Sequence, residues 1–274
     1  MISLLQILKE IQSKPKAIIM AGGASVGKST ILKSIESQLS DFNNLNADKY
    51  VEDKDSPLYG NLGGASSKIK KEDLPQAIES KSNFIYDTTA SNLKTLKPLV
   101  DNLKDNGYDV MMLMVYAHPI VSFLRNFKRK RKVPLIGIIG TWVKVYNLIE
   151  DYKKMFGDNF ILVTSSPSST EEKDQIESFQ TAQNQGKLKE YFDELMATGE
   201  YRSSFRKDDS KLSPEELEKK EKSRAKTALT TEKFIEDLSQ SFDRIQSSID
   251  PTSVDELPTL ITKFKSWINS PNHS

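Results

Sequence analysis

The chain has 274 residues, of which 37% are hydrophobic and 28% are charged, a composition typical of a globular protein with a sizeable core. Its formal net charge of +1 does not favour electrostatic association of the whole chain with nucleic acid or a membrane surface. The absence of cysteine excludes disulfides, thiolate zinc sites and a cysteine nucleophile. The apolar segments are too short to span a bilayer, so we expect a cytoplasmic protein with no membrane partner.

Charge is divided unevenly along the chain. Residues 1–166 contain 23 Lys+Arg against 17 Asp+Glu, a net charge of +6, and the remainder contains 16 against 21, a net charge of −5. A polar segment, SSPSSTEEKD, follows residue 164. The sequence therefore predicts two parts, a first domain over residues 1–166 and an acidic helical extension over residues 167–274.

Four apolar runs in the first part predict buried strands, at residues 17–21, 84–86, 110–117 and 160–164, and residues 43–46 give a weak fifth strand signal. Helical spacing between them, as in Leu93, Leu96, Val100 and Leu103, predicts an α/β fold with a parallel sheet covered on both faces. The extension carries a helical apolar stripe over residues 234–249 and another over residues 260–268. We interpret the first stripe as intrachain core, with docking of a protein partner as the alternative.

The nine residues after the first predicted strand contain the P-loop pattern G-x-x-x-x-G-K-S: Gly22, Gly23, Ala24, Ser25, Val26, Gly27, Lys28, Ser29 and Thr30. In such a loop the glycines let backbone N–H groups surround the phosphates of a nucleotide. Lys28 is predicted to reach the β- and γ-phosphates and the Ser29 hydroxyl to bind Mg²⁺. An apolar strand before the loop and a helical pattern after it provide the expected structural context.

Two acidic residues follow predicted strands. Asp87 ends the third strand, where such a site needs an acid near the magnesium ion, and a simple strand-end cap is the alternative. Asp48 follows the second strand, from which it is placed to accept the proton of an attacking hydroxyl. The alternative for Asp48 is a solvated loop acid.

A dense basic run follows the fourth strand and consists of Arg125, Lys128, Arg129, Lys130, Arg131 and Lys132. Its place between the fourth and fifth strands, at the phosphate end of the sheet, favours a lid whose arginines neutralise the transferring phosphoryl group. A nucleic-acid patch and a solvated helix face are the alternatives. We expect Pro134 to end the helix that carries the run.

The order of these parts resembles the zeta-toxin-like P-loop kinases, which are relatives of polynucleotide kinase and chloramphenicol phosphotransferase. The resemblance spans roughly residues 16–164 and rests on IIMAGGASVGKST, NLNADKYVEDKDSPLYG, NFIYDTTASN and VYAHPIVSFLRNFKRKRKVP. It implies a five-stranded sheet of order 2-3-1-4-5, ATP as donor, Asp48 as base, and Arg125 and Arg131 as lid arginines. The chain departs from the family at Asn46, where the first of two acids often stands, and at Lys130, where a glycine commonly precedes the lid arginine.

These features together predict an ATP- and Mg²⁺-dependent phosphotransferase, a P-loop kinase acting on a hydroxyl of a small molecule, nucleotide or nucleotide sugar. One alternative is a kinase of nucleic-acid ends or tRNA, with the basic run holding the backbone. Another is a non-enzymatic nucleotide-binding assembly protein that uses its helical extension. The sequence leaves open the acceptor, the preference for ATP over GTP and the oligomeric state.

Overall fold

The computed structural model describes residues 14–129, 132–197, 214–249 and 257–270. The five predicted strand segments form one sheet, in which every strand is parallel to its neighbours. The order β2-β3-β1-β4-β5 confirms the predicted α/β class and the kinase order 2-3-1-4-5. The strands are β1 (Lys16–Ala21), β2 (Asn43–Leu45), β3 (Phe84–Asp87), β4 (Asp109–Tyr116) and β5 (Phe160–Thr164).

The register of the sheet places the site. Met20, near the end of β1, is paired with Asp87 at the end of β3 and with Leu113 of β4. Just beyond β3, the Thr88 N–H donates a hydrogen bond of 3.0 Å to the Met20 carbonyl. The segment that leaves β1 therefore lies beside Asp87, at the carboxyl edge of the sheet where ligands of open α/β folds bind.

Helices surround the sheet and continue beyond β5. Those before β5 are α1 (Lys28–Ser34), α2 (Asp48–Glu52), α3 (Leu62–Lys68), α4 (Leu74–Glu79), α5 (Leu93–Asp105), α6 (Pro119–Phe127), α7 (Leu135–Tyr146) and α8 (Ile149–Phe156). A π-helical turn, Ile69–Asp73, joins α3 to α4, and short 3₁₀ turns form at Glu36–Gln38 and Gly157–Asn159. After β5 come α9 (Thr170–Asn184), α10 (Leu188–Ala197), α11 (Pro214–Ser248) and α12 (Leu257–Asn269). Across the described ranges, every helix is too short or too polar to cross a lipid bilayer.

The end of α6 differs from the prediction that Pro134 would terminate it. The helix stops at Phe127 because the Asn126 side chain bonds to a residue further along the chain. Asn126 Nδ2 donates to the Val133 carbonyl at 2.9 Å, and Oδ1 accepts from the Val133 N–H at 2.8 Å. This pair of bonds resembles the backbone pairing of adjacent β-strands and holds Val133 beside the end of α6.

The helices beyond residue 166 share one hydrophobic core with the sheet domain. The apolar stripe predicted over residues 234–249 lies in α11 and in the residue that follows it, and five of its residues are buried: Ile235, Leu238, Phe242, Ile245 and Ile249. The Phe242 ring stacks on Trp142 of α7 with centroids 6.1 Å apart and lies 5.0 Å from the Phe179 ring of α9. The stripe is therefore intrachain core, as interpreted from the sequence, while the boundary at residue 166 stays a prediction about the organisation of the chain.

The last helix, α12, is held at the opposite, amino edge of the strands. Lys16 of β1 is almost fully buried, with 5% exposure. Its Nζ donates to the Trp267 carbonyl at 2.7 Å and lies 3.4 Å from Asp109 Oδ2. Because a buried ammonium is costly unless it is paired and hydrogen-bonded, these contacts explain how a lysine is tolerated in a central strand.

His118 joins the sheet to the extension. Its ring lies edge-on between the Phe179 and Phe242 rings, at centroid distances of 4.8 and 5.3 Å. Nδ1 accepts from the Ile120 N–H at 3.3 Å and so caps α6, whereas the buried Nε2 has no partner among the described residues. Burial lowers the pKa of His118 from 6.5 to about 3, so the ring is neutral in the folded chain near neutral pH.

This environment predicts a pH dependence of folding stability. Between pH 6.5 and about 3 the unfolded chain protonates His118 and the folded chain does not, so stability falls as the pH drops through that window. His118→Asn, which keeps an acceptor for the α6 cap, should lose about 2 kcal/mol less free energy of unfolding between pH 7 and pH 5 than the native chain. Urea unfolding at the two pH values measures the difference, and His273→Asn, which changes the other histidine, is the control. Equal losses in the native and His118→Asn chains would contradict the prediction.

Candidate active site

A cleft of about 640 Å³ opens at the carboxyl edge of the sheet. P-loop residues 23–30 line it, and so do Asp48, Asp87 and Arg125. Gly22 lies just behind the lining, where its carbonyl accepts from Lys28 Nζ at 3.2 Å. Arg131, the second lid arginine that the resemblance implies, lies outside the described residues. The structure thus brings the described residues of the predicted site to one place, and their roles remain predictions.

Two glycines let the P-loop fold closely over its neighbours. Gly22 has a φ of 143°, and a Cβ there would lie 2.7 Å from the Val115 carbonyl oxygen of β4. Gly27 has a φ of 99°, and a Cβ there would lie 2.7 Å from Ser165 Oγ beyond β5. Both positions exclude a larger residue on steric and conformational grounds, so the loop lies against the ends of two strands.

Lys28 places its ammonium group inside the loop. Nζ lies 3.2 and 3.4 Å from the carbonyl oxygens of Gly22 and Gly23, and 3.6 Å from Asp87 Oδ1. Its side chain is 16% exposed and opens onto the cleft. A cation in this position provides the charge that β- and γ-phosphates require.

Asp87 is the acidic partner of Lys28 at the floor of the cleft. Its second oxygen, Oδ2, accepts from Asn46 Nδ2 at 3.0 Å. Burial raises the pKa of the Asp87 carboxyl, and the ammonium of Lys28 opposes that rise. Asn46 thus supplies a neutral donor beside Asp87.

Asp48 is the first residue of α2 and lines the cleft. Its backbone N–H donates to Asn46 Oδ1 at 2.8 Å, so the amide of Asn46 connects the two acidic residues. Asp48 Oδ2 lies 3.6 Å from Arg129 Nη2. Arg129 Nη1 in turn donates to Ser25 Oγ of the P-loop at 3.3 Å, so Arg129 spans the mouth of the cleft from the loop to Asp48.

Arg125 lines the opposite end of the cleft and is held firmly. Nε and Nη2 donate to the two carboxylate oxygens of Glu172 at 3.1 and 3.2 Å. Nη1 donates to Ser165 Oγ at 2.6 Å, and Nη2 also donates to the Ser166 carbonyl at 2.7 Å. The two described arginines of the site therefore occupy different ends, with Arg125 beside Gly27 and Arg129 beside Asp48.

The residues around Ser29 suit a magnesium ion carried in with a nucleotide. Within the described ranges, no group of three or more His, Cys, Asp or Glu side chains is arranged to hold a metal alone. Mg²⁺ in phosphate sites needs only one or two protein oxygens, because phosphate and water oxygens complete its coordination. The Ser29 hydroxyl and the Asp87 carboxylate, which both line the cleft, supply oxygens of that kind.

The rest of the cleft wall comes from outside the P-loop. Polar and apolar side chains from α3, the π-helical turn and the segment after β3 line it: Leu62, Ser66, Ile69, Lys70, Thr88 and Thr89. Hydroxyl groups and one lysine at this wall suit a polar ligand better than an apolar one.

The sequence assigns no site role to Asn46 or Glu172, and it gives Arg129 a role only as one member of the basic run that is predicted to form a lid. Glu172 stands three residues after Ser169, whose Oγ accepts the Glu172 N–H at 3.2 Å. That S-x-x-E spacing signals a helix start, and nothing in it indicates that the carboxylate reaches Arg125.

The zeta toxin family model matches residues 3–135, which include the P-loop, Asp48, Asp87 and Arg125. This stretch is zeta-toxin-like. The match ends at the start of α7, so the helices from α7 onward lie beyond the zeta-toxin-like stretch. No curated protein matches the chain significantly.

Solved structures with partial likeness include a protein of the PezAT toxin–antitoxin system of Streptococcus pneumoniae, at 17% identity and a TM-score of 0.46. That alignment covers 61% of this chain and 76% of the other. A gluconokinase from Sinorhizobium meliloti aligns at 12% identity over 57% of this chain and 86% of its own, with a TM-score of 0.39. The AvrRxo1-ORF1:AvrRxo1-ORF2 structure with ATP aligns at 13% identity over 58% and 57% of the two chains, with a TM-score of 0.42.

The position of Lys28 leads to a prediction about nucleotide binding. Lys28→Ala should weaken binding of Mg-ATP by at least about 10-fold, because a charged hydrogen-bond donor to the phosphates is lost. Lys33→Ala is the matched control, since Lys33 is an exposed lysine of the same helix. Isothermal titration calorimetry measures both affinities, and equal affinities in the two variants would show that the loop does not bind the phosphates.

Proposed function

We propose that the chain is an ATP-dependent phosphotransferase that moves the γ-phosphoryl group to a hydroxyl of a small molecule, nucleotide or nucleotide sugar. The observation that carries the proposal is the ion pair of Asp48 with Arg129 at the mouth of a P-loop. A carboxylate and a guanidinium are thereby placed together where the outermost phosphate of a bound triphosphate would emerge. The zeta-toxin-like stretch supports the same reaction class.

The proposed chemistry assigns one task to each group. Lys28 binds the β- and γ-phosphates, and Asp48 accepts the proton of the acceptor hydroxyl. The acceptor oxygen forms its bond to the γ-phosphorus as the bond from phosphorus to the bridging oxygen of ADP breaks. Arg129 lies between the P-loop and Asp48, so its charge stabilises the negative charge that the transferring group presents.

Magnesium would be held by Ser29 and Asp87 together with the phosphates, where it neutralises charge and orients the terminal phosphate. The Asn46 amide keeps the Asp87 carboxylate in place at the floor of the cleft. Because Asn46 also accepts from the Asp48 N–H, it fixes the spacing between the proton acceptor and the metal side of the site.

The described members of the basic run do not favour a nucleic-acid kinase. Lys128 Nζ lies 3.7 Å from Glu171 Oε2, and Arg129 faces the cleft. Lys132 Nζ lies 6.0 Å from the centre of the Phe127 ring. Each of these three side chains has a partner within its own chain, and labelling of an oligonucleotide in the experiment below would favour the nucleic-acid alternative instead.

A protein partner, the last expectation from the sequence, would need a surface other than the apolar stripe of α11. That stripe is buried against the sheet domain. We therefore propose that the helical extension is a structural part of this enzyme. A protein partner would have to bind to its outer faces.

The proposed reaction is tested with γ-labelled ATP, Mg²⁺ and acceptor pools offered singly: nucleotide sugars, nucleosides and nucleotides, sugar acids, 5′-hydroxyl oligonucleotides and tRNA. We expect one small-molecule pool to accept label. Asp48→Ala should lower the transfer rate by about 100-fold or more, because general-base catalysis is lost, while Mg-ATP binding remains. Asp55→Ala, an exposed acid of the same segment, is the matched control and should retain the native rate.

Two outcomes would contradict the proposal. Transfer that is equally fast in Asp48→Ala and Asp55→Ala would remove Asp48 from the chemistry. A native chain that binds Mg-ATP and labels none of the pools would favour a non-enzymatic nucleotide-binding protein.

A further inference from the structure

The guanidinium of Arg125 is hydrogen-bonded almost completely within its own chain. Its guanidinium has five N–H donors, and four of them are engaged by Glu172, Ser165 and Ser166. The two bonds to Glu172 form the parallel fork that gives arginine–carboxylate pairs their directional preference. The remaining N–H belongs to Nη1, which lies on the P-loop side.

Glu172 is itself fixed. Its side chain is 2% exposed, and Oε2 also accepts from the Ser168 N–H at 2.7 Å. Burial raises the pKa of Glu172, but the hydrogen bonds from Arg125 and Ser168 outweigh it, so the pKa lies below its ordinary value. The buried, ionised carboxylate of Glu172 lies in the first turn of α9 and is connected to the cleft by Arg125.

The position of Arg125 relative to the P-loop suggests its ligand. A Cβ placed on Gly27 would lie 3.6 Å from Arg125 Nη1, so the guanidinium lies against the loop at that glycine. The N–H groups of the P-loop surround the α- and β-phosphates, and the lysine reaches toward the γ-phosphate. Arg129, next to Ser25 and Asp48, is at the end where the acceptor would enter. The two arginines thus face different parts of one triphosphate.

We propose that Glu172 is a positioning residue for nucleotide binding, which holds Arg125 beside Gly27 so that its charge meets the α- and β-phosphates. The proposal rests on the proposed use of a nucleotide and is independent of the acceptor. It makes α9, the first helix of the predicted extension and beyond the zeta-toxin-like stretch, part of the nucleotide site.

The physical reason is preorganisation. An arginine at the rim of a cleft has many rotamers, and ordering it on binding costs conformational entropy. The bonds to Glu172, Ser165 and Ser166 select one rotamer before the nucleotide arrives. Glu172→Gln keeps the shape of the side chain and removes its charge, so it should release Arg125 from this orientation without deleting it.

The experiment measures the dissociation constants of Mg-ADP and Mg-ATP by calorimetry for the native chain and its variants. Glu172→Gln should weaken both nucleotides by the same factor of about 10, because the α- and β-phosphates are common to both. Glu171→Gln is the matched control, since Glu171 is the preceding residue and pairs with the exposed Lys128. It should bind both nucleotides as the native chain does.

A double-mutant cycle tests whether Glu172 acts through Arg125. Arg125→Ala should weaken both nucleotides, and adding Glu172→Gln to it should cause no further loss. Arg125→Lys keeps the charge and lacks the fork, so it should weaken both nucleotides as Glu172→Gln does and serves if the Glu172 variant does not fold. Circular dichroism and thermal unfolding show whether each variant is folded at the temperature of the titration.

Each contrary outcome overturns a specific part of the proposal. Native-like affinity in folded Glu172→Gln and Arg125→Lys overturns the positioning role, and so does a further loss on the Arg125→Ala background. Loss confined to Mg-ATP overturns the placement at the α- and β-phosphates. A native chain that binds neither nucleotide overturns the proposed function as well, which distinguishes the two failures.

Discussion

The site depends first on the parallel pairing of β1 with β3 and β4. This register places Met20 next to Asp87 and Leu113, so the chain that leaves β1 turns into the P-loop directly beside the acid that ends β3. The turn is possible because Gly22 and Gly27 adopt backbone angles that other residues rarely accept and leave no room for a Cβ. Lys28 then meets Asp87 across the floor of the cleft. A shift of one residue in this register would move Asp87 to the other face of the sheet and separate the pair.

The charges of the cleft are arranged in sequence from one end to the other. Glu172 and Arg125 stand at one end, Lys28 and Asp87 in the middle, and Arg129 and Asp48 at the other. Asn46 lies between Asp87 and Asp48. A carboxylate in its place would repel Asp87 and would lack the donor that Asn46 Nδ2 provides. Lys28, Arg125 and Arg129 thus each have an acidic partner. A bound triphosphate with its magnesium would bring phosphate oxygens to Lys28 and Arg129, while Glu172 continues to hold Arg125.

Much of the fold could be predicted from the sequence, because four of the five strands are buried, nearly continuous apolar runs, and all five strands lie within one or two residues of their predicted ends. The short β2 is only partly buried, and its signal in the sequence is weak for that reason. The P-loop was equally predictable, because the spacing of its glycines and lysine follows from the geometry of the bound phosphates. The particular contacts of Arg129 and Glu172 were not predictable in this way. The spacing of Ser169 and Glu172 marks the start of α9, but the bonds of Asn126 to Val133 and of Glu172 to Arg125 join residues that no local pattern connects. Arg131 lies outside the described residues, so its predicted role stays a prediction.

The most direct test of the central claim, that one triphosphate spans the cleft from Arg125 to Asp48, is a crystal structure with Mg²⁺ and a non-hydrolysable ATP analogue. The account predicts α- and β-phosphates within the P-loop beside Arg125, and a γ-phosphate between Lys28 and Arg129 with Asp48 facing it. A nucleotide bound in the opposite direction, with its nucleoside against Asp48, or bound away from the P-loop, would contradict the account.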